Sequence, residues 1–447
     1  MNNAGFGFKI TPTSMHNTSK DTLSRIIQHK NPAFAMRKNR KLFDMSLDHE
    51  TNDTYICREC LGDTFLKKAI IDFAKKPCHS CQKSSNGCIT IKIISTMIIS
   101  IIEEHFEIHG ASKTNQEPLT LGQVTAQIIV CSNTEICELI ATHLLSDLAD
   151  EKKTLFSATN KYQQKKRAFD SEEQRHAFFL AEWNIITTKL THAQRYFNDD
   201  VQDFFRSLFT EATDATTETL FETKSTIVKK IDPGLELFRA RRMDSPESKK
   251  QICENPEKWL GAPPKEAAGH NRMNSAGIPL FYAAKDRRTS IAEVRPSLGD
   301  SIAIGKFVTK KTLTFFDFTG FNYPWKHEEL SFFENNYTVR ANQREFLRYF
   351  HDIICQPVRS DGTGYIITQA MAEFLASKHR IKFDGIIYKS VQEQNGINYT
   401  IFSEKPRDSE ITDKDWQPTF PVAFIGEPAF QTVTSISYEC TPEKTIK

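Results

Sequence analysis

The sequence predicts an α+β protein, a cysteine knuckle and a helical bundle followed by a mixed α+β domain, on three observations. Two Cys-x-x-Cys pairs stand near the amino terminus. Residues 91–210 read as helical almost throughout. Beyond Ile231, short β-type runs are mixed with helices without regular alternation, which favours α+β over a doubly wound sheet. At 447 residues the chain exceeds one ordinary domain. The expected divisions are a segment 1–50, a knuckle 51–90, a helical domain 91–226 and a mixed domain 227–447.

Composition sets limits on partners. Lysine and arginine number 58 against 56 aspartates and glutamates, a formal charge of +2. Coating a polyanion takes a clear basic excess, so general nucleic-acid binding is not expected, although a local basic face is compatible with the count. With 39% hydrophobic and 26% charged residues the chain is in the globular range, not the disordered one. The run ITIKIISTMIISII at 89–102 falls short of the roughly 20 residues that span a bilayer and contains Lys92, so it reads as a buried helix and no membrane partner is expected. MNNAGFGFKITPTSM carries no charged start followed by an apolar core, so the expected location is the cytoplasm. Thiols stay reduced there, and ten cysteines with paired spacing then point to metal in place of disulfides.

Taken in order, 1–50 is polar, with a basic cluster at Arg37, Lys38, Arg40 and Lys41, and reads as a solvated segment. Cys57-Arg-Glu-Cys60 and Cys78-His-Ser-Cys81 follow, 17 residues apart. Each two-residue gap lets a tight turn aim both sulfurs at one ion, so Cys57, Cys60, Cys78 and Cys81 are the expected ligands of one structural Zn²⁺. Cys88 and His79 are the substitutes, and free or redox thiols the alternative. LGDTFLKKAIIDFAKK at 61–76 has a helical stripe between the pairs. Cys131, Cys137, Cys253, Cys355 and Cys440 lack such spacing and read as small buried hydrophobes.

Phe179, Trp183, Ile186, Leu190, Ala193, Phe197, Val201, Phe204 and Leu208 recur by three or four, the face of one long helix expected to pack on 89–106 and 123–148 as a bundle. His192, Arg195 and Tyr196 on that helix read as surface or inter-helix contacts. No Arg precedes a His by four to six residues there, as a helical ribonuclease would require. EATDATTETLFETKST at 211–226 loses the period and is the expected boundary.

In the carboxy-terminal half the expected strands are 235–239, 280–283, 302–308, 313–318, 385–388, 399–402 and 421–425, with helices at 341–355 and 367–378. Neither GxGxxG nor GxxxxGK[ST] occurs, so neither a Rossmann turn nor a P-loop is supported. Arg239 sits in the apolar run LELFRAR. Arg272 opens RMNSAGIPLFYAA, Tyr282 lies ten residues on, and Glu293, in TSIAEVRP, eleven further. Ser390 ends FDGIIYKS.

These segments, with YIITQAMAEFL at 365–375, resemble the RES-domain toxins, named for an Arg, a Glu and a Ser, over about 231–430. The Cys-x-x-Cys region with ECLGD, and the later AEWN and QRYFN, resembles the HEPN/RES-type module that precedes some RES domains. The resemblance implies an ADP-ribosyltransferase-like fold and cleavage of NAD⁺ at the nicotinamide–ribose bond. ADP-ribose would pass to water, phosphate or a protein, and an antitoxin or regulatory protein would be the partner; self-association stays open.

The residue types suit that chemistry. Nicotinamide leaves as a neutral base, so the site must above all stabilise an oxocarbenium-like ribosyl centre. Glu293 is the candidate carboxylate. Arg239 and Arg272 fit the pyrophosphate as bidentate forks. Tyr282 offers a ring to stack and a hydroxyl tether. Ser390 fits as a donor; as a nucleophile it needs a base beside it. Arg295 reads as a structural neighbour of Glu293, and Asn274 and Gly277 as shapers of the turn presenting Arg272. The 32 residues from 240 to 271 read as a surface loop that covers the cleft or meets a partner. The competing reading is a nucleic-acid-binding or scaffold protein with an inactive RES domain, resting on the knuckle and on 37–41.

Overall fold

Side-chain caps, more than apolar period, set where the helices of this chain begin. The structure, a computed structural model, describes residues 53–71, 73, 75–110, 117–146, 155–165, 171–218, 223–225, 227–322, 325–355, 365–406, 410 and 413–436. The basic cluster at 37–41, Cys440 and the side chain of Cys355 lie outside them. The chain divides into two compact units, Met1–Ala168 with Glu329–Ala341, and Phe169–Glu328 with Asn342–Lys447.

In the first unit, strand β1 (Tyr55–Cys57) pairs antiparallel with β2 (Cys88–Thr90), placing Cys57 opposite Cys88. Between them the expected helix at 61–76 is confined to α1 (Thr64–Ala69). The physical reason is local. Gly62 and Asp63 donate their N–H groups to Ile129 O at 3.1 and 3.2 Å, so the chain is extended there, and the Asp63 carboxylate then caps α1 through Leu66 N. Gly62 is required at that crossing, because a Cβ would lie 1.9 Å from Val130 O. Thr90 caps α2 (Ile91–His105), whose Ile94, Ile98 and Ile102 are fully buried, and Thr120 and Gln123 form a capping box at the start of α3 (Leu121–Ile129). With α4 (Thr134–Ser146) these helices form one apolar core, which Phe333 also joins. No single described helix is long and apolar enough to cross a membrane.

In the second unit the expected long helix is two, α5 (Glu172–Thr188), extended by a π-helical turn Lys189–Ala193, and α6 (Asp199–Asp214). Asn198 breaks the run: its side chain caps α6 through Val201 N, and Phe197 before it takes φ +54°. Phe197 is thereby 90% exposed instead of lying on the apolar face. Phe179, Trp183, Phe205 and Phe209 share one core with Phe316, Phe346, Phe350 and Phe374, so α5 and α6 cover a sheet, and the core they join is not the one formed by α2, α3 and α4. The main segment of the first compact unit ends at Ala168.

That sheet has eight strands: β3 (Val228–Ile231), β4 (Glu236–Met243), β5 (Phe281–Ala284), β6 (Ser301–Thr309), β7 (Leu313–Asp317), β8 (Gly385–Lys389), β9 (Ile397–Ile401) and β10 (Val422–Thr432). Their spatial order is β10-β6-β4-β5-β9-β8-β7-β3, all antiparallel except β7 with β8, and this mixed sheet with helices on it is the α+β architecture the sequence predicts. The helices expected at 341–355 and 367–378 are α10 (Tyr337–Cys355) and α11 (Ile366–Ser377). The connection 240–271 is not an open loop. Ser245 with Pro246, and Asn255 with Pro256, start the short helices α7 (Pro246–Glu254) and α8 (Pro256–Leu260), and Ile252 and Leu260 are buried against the sheet.

Candidate functional site

Four neighbouring strands, β4, β5, β9 and β8, supply the walls of a cleft of about 510 Å³, within the range of small-molecule sites. Arg239 enters it from β4, Tyr282 from β5, Asn398 from β9 and Tyr388 from β8.

Arg239 is half-buried; its Nη1 donates to Tyr282 O at 2.9 Å and its guanidinium lies 5.9 Å from the Phe281 ring centroid. Burial first, and the nearby Arg241 second, pull its pKa down to about 10, so it stays a cation at neutral pH and would gain from an anion.

Arg272 is carried by a turn clamped from several sides. Asn271 N donates to Asn274 O at 3.0 Å, Asn274 Nδ2 to Gly269 O at 3.0 Å, and Gln369 Nε2 on α11 to Asn271 O and Asn274 O at 2.8 and 2.9 Å. Gly277, at φ +82°, lets the turn close onto Ala268 O. The Tyr282 hydroxyl belongs to the same clamp, donating to Asn274 Oδ1 at 2.7 Å and accepting from Met273 N at 3.2 Å. Its hydroxyl therefore tethers the Arg272 turn, and burial raises its pKa.

Glu293 closes the short helix α9 (Arg287–Glu293), which Asp286 starts by accepting from Thr289 N and Thr289 Oγ1 at 2.8 and 2.7 Å. Its Oε1 accepts two hydrogen bonds of 2.6 Å each, from Ser390 Oγ and from Asn398 Nδ2. The Ser390 oxygen in turn accepts from Gln392 N and Glu393 N at 3.1 and 3.0 Å. With its proton on Glu293 and both lone pairs facing N–H groups, Ser390 is arranged as a positioning group, not as a nucleophile. Tyr388 lines the cleft beside them. Burial pushes its hydroxyl up to about 12, the Glu293 charge adds to this, and Arg272 opposes it.

The sequence-predicted Arg239, Arg272, Tyr282 and Glu293 thus line one cleft, with Ser390 bonded to Glu293 behind it. Sequence reasoning missed Asn398 and Tyr388. A polar Asn in the otherwise strand-forming INYTI was the available signal, since Asn398 is 3% exposed and a buried amide needs a partner.

Residues 248–423 match the RES domain family. This part of the chain is a RES domain. Arg272, Tyr282, Glu293 and Ser390 lie within the RES match, and Arg239 lies ahead of it. No curated protein and no solved structure matched the chain.

Outside the RES domain, the first unit brings Cys57, Cys60, Cys78 and Cys81 together, their Sγ atoms all within 4.8 Å of one another. Cys57–Cys60, Cys57–Cys81 and Cys60–Cys78 are 3.6, 3.7 and 3.8 Å apart. A tetrahedron of thiolates around Zn²⁺ has edges of about 3.8 Å, so the set fits a closed four-sulfur metal site. Cys57 N also donates to Cys78 Sγ at 3.2 Å, as a backbone donor to a metal-bound thiolate does. Cys88 is not among the four; its thiol donates to Lys76 O and Ser85 O. Cys131 and Cys137 are buried as expected, but Cys253 is exposed, because it falls on the solvent side of its short helix while Ile252 faces the core.

Proposed function

We propose that the RES domain cleaves NAD⁺ at the nicotinamide–ribose bond. The observation that carries this is the Glu293 carboxylate: two donors hold Oε1, so Oε2 remains to face a developing positive charge in a cleft lined by arginines. In this reading the C–N bond breaks with its electron pair leaving on nicotinamide, which cancels the pyridinium charge. Glu293 stabilises the ribosyl cation by electrostatics and by accepting from a ribose hydroxyl. An oxygen nucleophile then adds to the anomeric carbon and, where that oxygen carries a proton, releases it to solvent. Arg239 and Arg272 hold the pyrophosphate, their positions fixed by the Tyr282 carbonyl and by the clamped turn.

Toxin or defence action follows from draining NAD⁺, with the first unit and an antitoxin or regulatory protein as its restraint, in a reducing cytoplasm where four thiolates keep their metal. One Zn²⁺ per chain is the proposed ion. Purified protein incubated with NAD⁺, with and without phosphate, tests the reading by nicotinamide release and by the identity of the ADP-ribosyl product. Free ADP-ribose means water is the acceptor, a phosphorylated product means phosphate, and a modified polypeptide means the mono-ADP-ribosyltransferase alternative. No nicotinamide release under any of these conditions would reject all three.

A further inference from the structure

Among the arginines near the cleft, one stands apart. Arg241 lies over the Trp259 ring and bonds its carbonyl, Arg287 lies over Phe238, and Arg288 pairs with Glu393. Arg295 lines the cleft with an exposed side chain that makes no hydrogen bond, ion pair or ring contact among the described residues. Its backbone is also unusual. It takes φ +45° two residues past Glu293, at the end of the helix, with its N–H on Ala292 O at 3.0 Å. Glycine normally fills that left-handed position after a helix, and the following Pro296 pushes the residue before it towards extended backbone. An arginine there is a local compromise whose one visible consequence is a guanidinium delivered to the cleft.

The charge count points the same way. Three arginines, Arg239, Arg272 and Arg295, meet a single carboxylate, Glu293, in the cleft lining. On the dinucleotide reading above, on which this inference rests, two of them match the two phosphates of the pyrophosphate, and Arg295 is left with a planar fork suited to a further phosphate. We infer that Arg295 forms a subsite for a phosphate group additional to the pyrophosphate. The group is either a phosphomonoester on the dinucleotide ribose or free inorganic phosphate.

The test is equilibrium binding of NAD⁺, 2′-phosphorylated NAD⁺ and inorganic phosphate to the full chain, in a Glu293→Gln background so that substrate is not consumed. Arg295→Gly is the variant of choice, because glycine suits φ +45° and the substitution cannot fail through backbone strain. The expected result is an unchanged or higher melting temperature and NAD⁺ affinity within about twofold. Loss of affinity should be at least about tenfold for the 2′-phosphorylated dinucleotide or for inorganic phosphate, whichever the subsite serves. Equal affinities of parent and variant for all three ligands would overturn the inference. So would an equal loss for NAD⁺, since Arg295 would then serve the pyrophosphate, and so would a parent that binds neither phosphate ligand better than the variant does. Phosphate binding that depends on Arg295 in a protein that does not bind NAD⁺ would keep the subsite and reject the dinucleotide reading.

Discussion

Asn398 donates its side-chain amide to Glu293 Oε1 at 2.6 Å, the same oxygen that accepts from Ser390 Oγ at 2.6 Å. Ser390 and Asn398 stand on the two arms of the β8–β9 hairpin, Glu293 ends a helix about a hundred residues earlier, and the sheet order that sets β9 between β5 and β8 brings that helix end to the hairpin. The carboxylate is thus oriented before any substrate arrives, which is how a fixed charge stabilises a transition state without reorganising.

Removing either donor should leave Glu293 in place but loose. Asn398→Ala and Ser390→Ala are each expected to lower kcat by roughly 10- to 100-fold, the worth of one hydrogen bond to a charged group, with KM changed by less than about threefold. A fall of about a millionfold for Ser390→Ala would instead mark Ser390 as a nucleophile. Asn398→Asp adds a second carboxylate beside the first. Like charges repel, so this variant should lose more kcat at neutral pH than Asn398→Ala does. A kcat equal to that of Asn398→Ala would show that the added charge is not felt at Glu293.

Much of this was legible in the sequence, and the parts that were not have physical reasons. Arg239, Tyr282, Ser390 and the strands under them could be read because strand period and a spaced motif are local. The meeting of Glu293 with the Ser390–Asn398 hairpin depends on the order of strands in the sheet, which no local pattern encodes. The long helix expected through Phe197 failed at one residue: Asn198 caps a new helix, and a single cap outweighs the apolar period. The helices in 240–271 were hidden because each is only a few turns long, although Ser245-Pro246 and Asn255-Pro256 are start signals in plain view. The cysteine spacing carried furthest of all, since each Cys-x-x-Cys gap already fixes two sulfurs of the site.

The metal site predicts a one-sided response. Freshly reduced protein should contain about one zinc per chain, and chelation or Cys60→Ser with Cys81→Ser should strip amide protection from the core around Ile94, Ile98 and Ile128. Protection around Phe316 and Ile386, in the separate core of the second unit, should persist. Metal-free protein with both cores equally protected would contradict the four-thiolate assignment.

Alkaline titration reads the buried tyrosines of the RES domain. Burial pushes Tyr388 and Tyr399 up to about 12 and raises Tyr282 as well. Their folded values lie above the unfolded value of about 10, so the native state holds protons that the unfolded state would release. The stability they contribute is whole below pH of about 10 and is lost as pH rises through about 12. Tyrosinate absorbance should therefore rise in two stages, the second coinciding with loss of near-ultraviolet dichroism. Full tyrosinate absorbance at pH of about 10 with tertiary structure intact would show these hydroxyls to be open to solvent.

The most direct measurement compares nicotinamide release from NAD⁺ by the full chain and by Glu293→Gln, which keeps the shape of the side chain and its Oε1 acceptor but removes the charge. The expected result is turnover by the parent and a loss of about 10²-fold or more in the variant, at an unchanged melting temperature. Equal rates in the two proteins, or no release by the parent, would contradict a role for the Glu293 carboxylate in cleaving the nicotinamide–ribose bond.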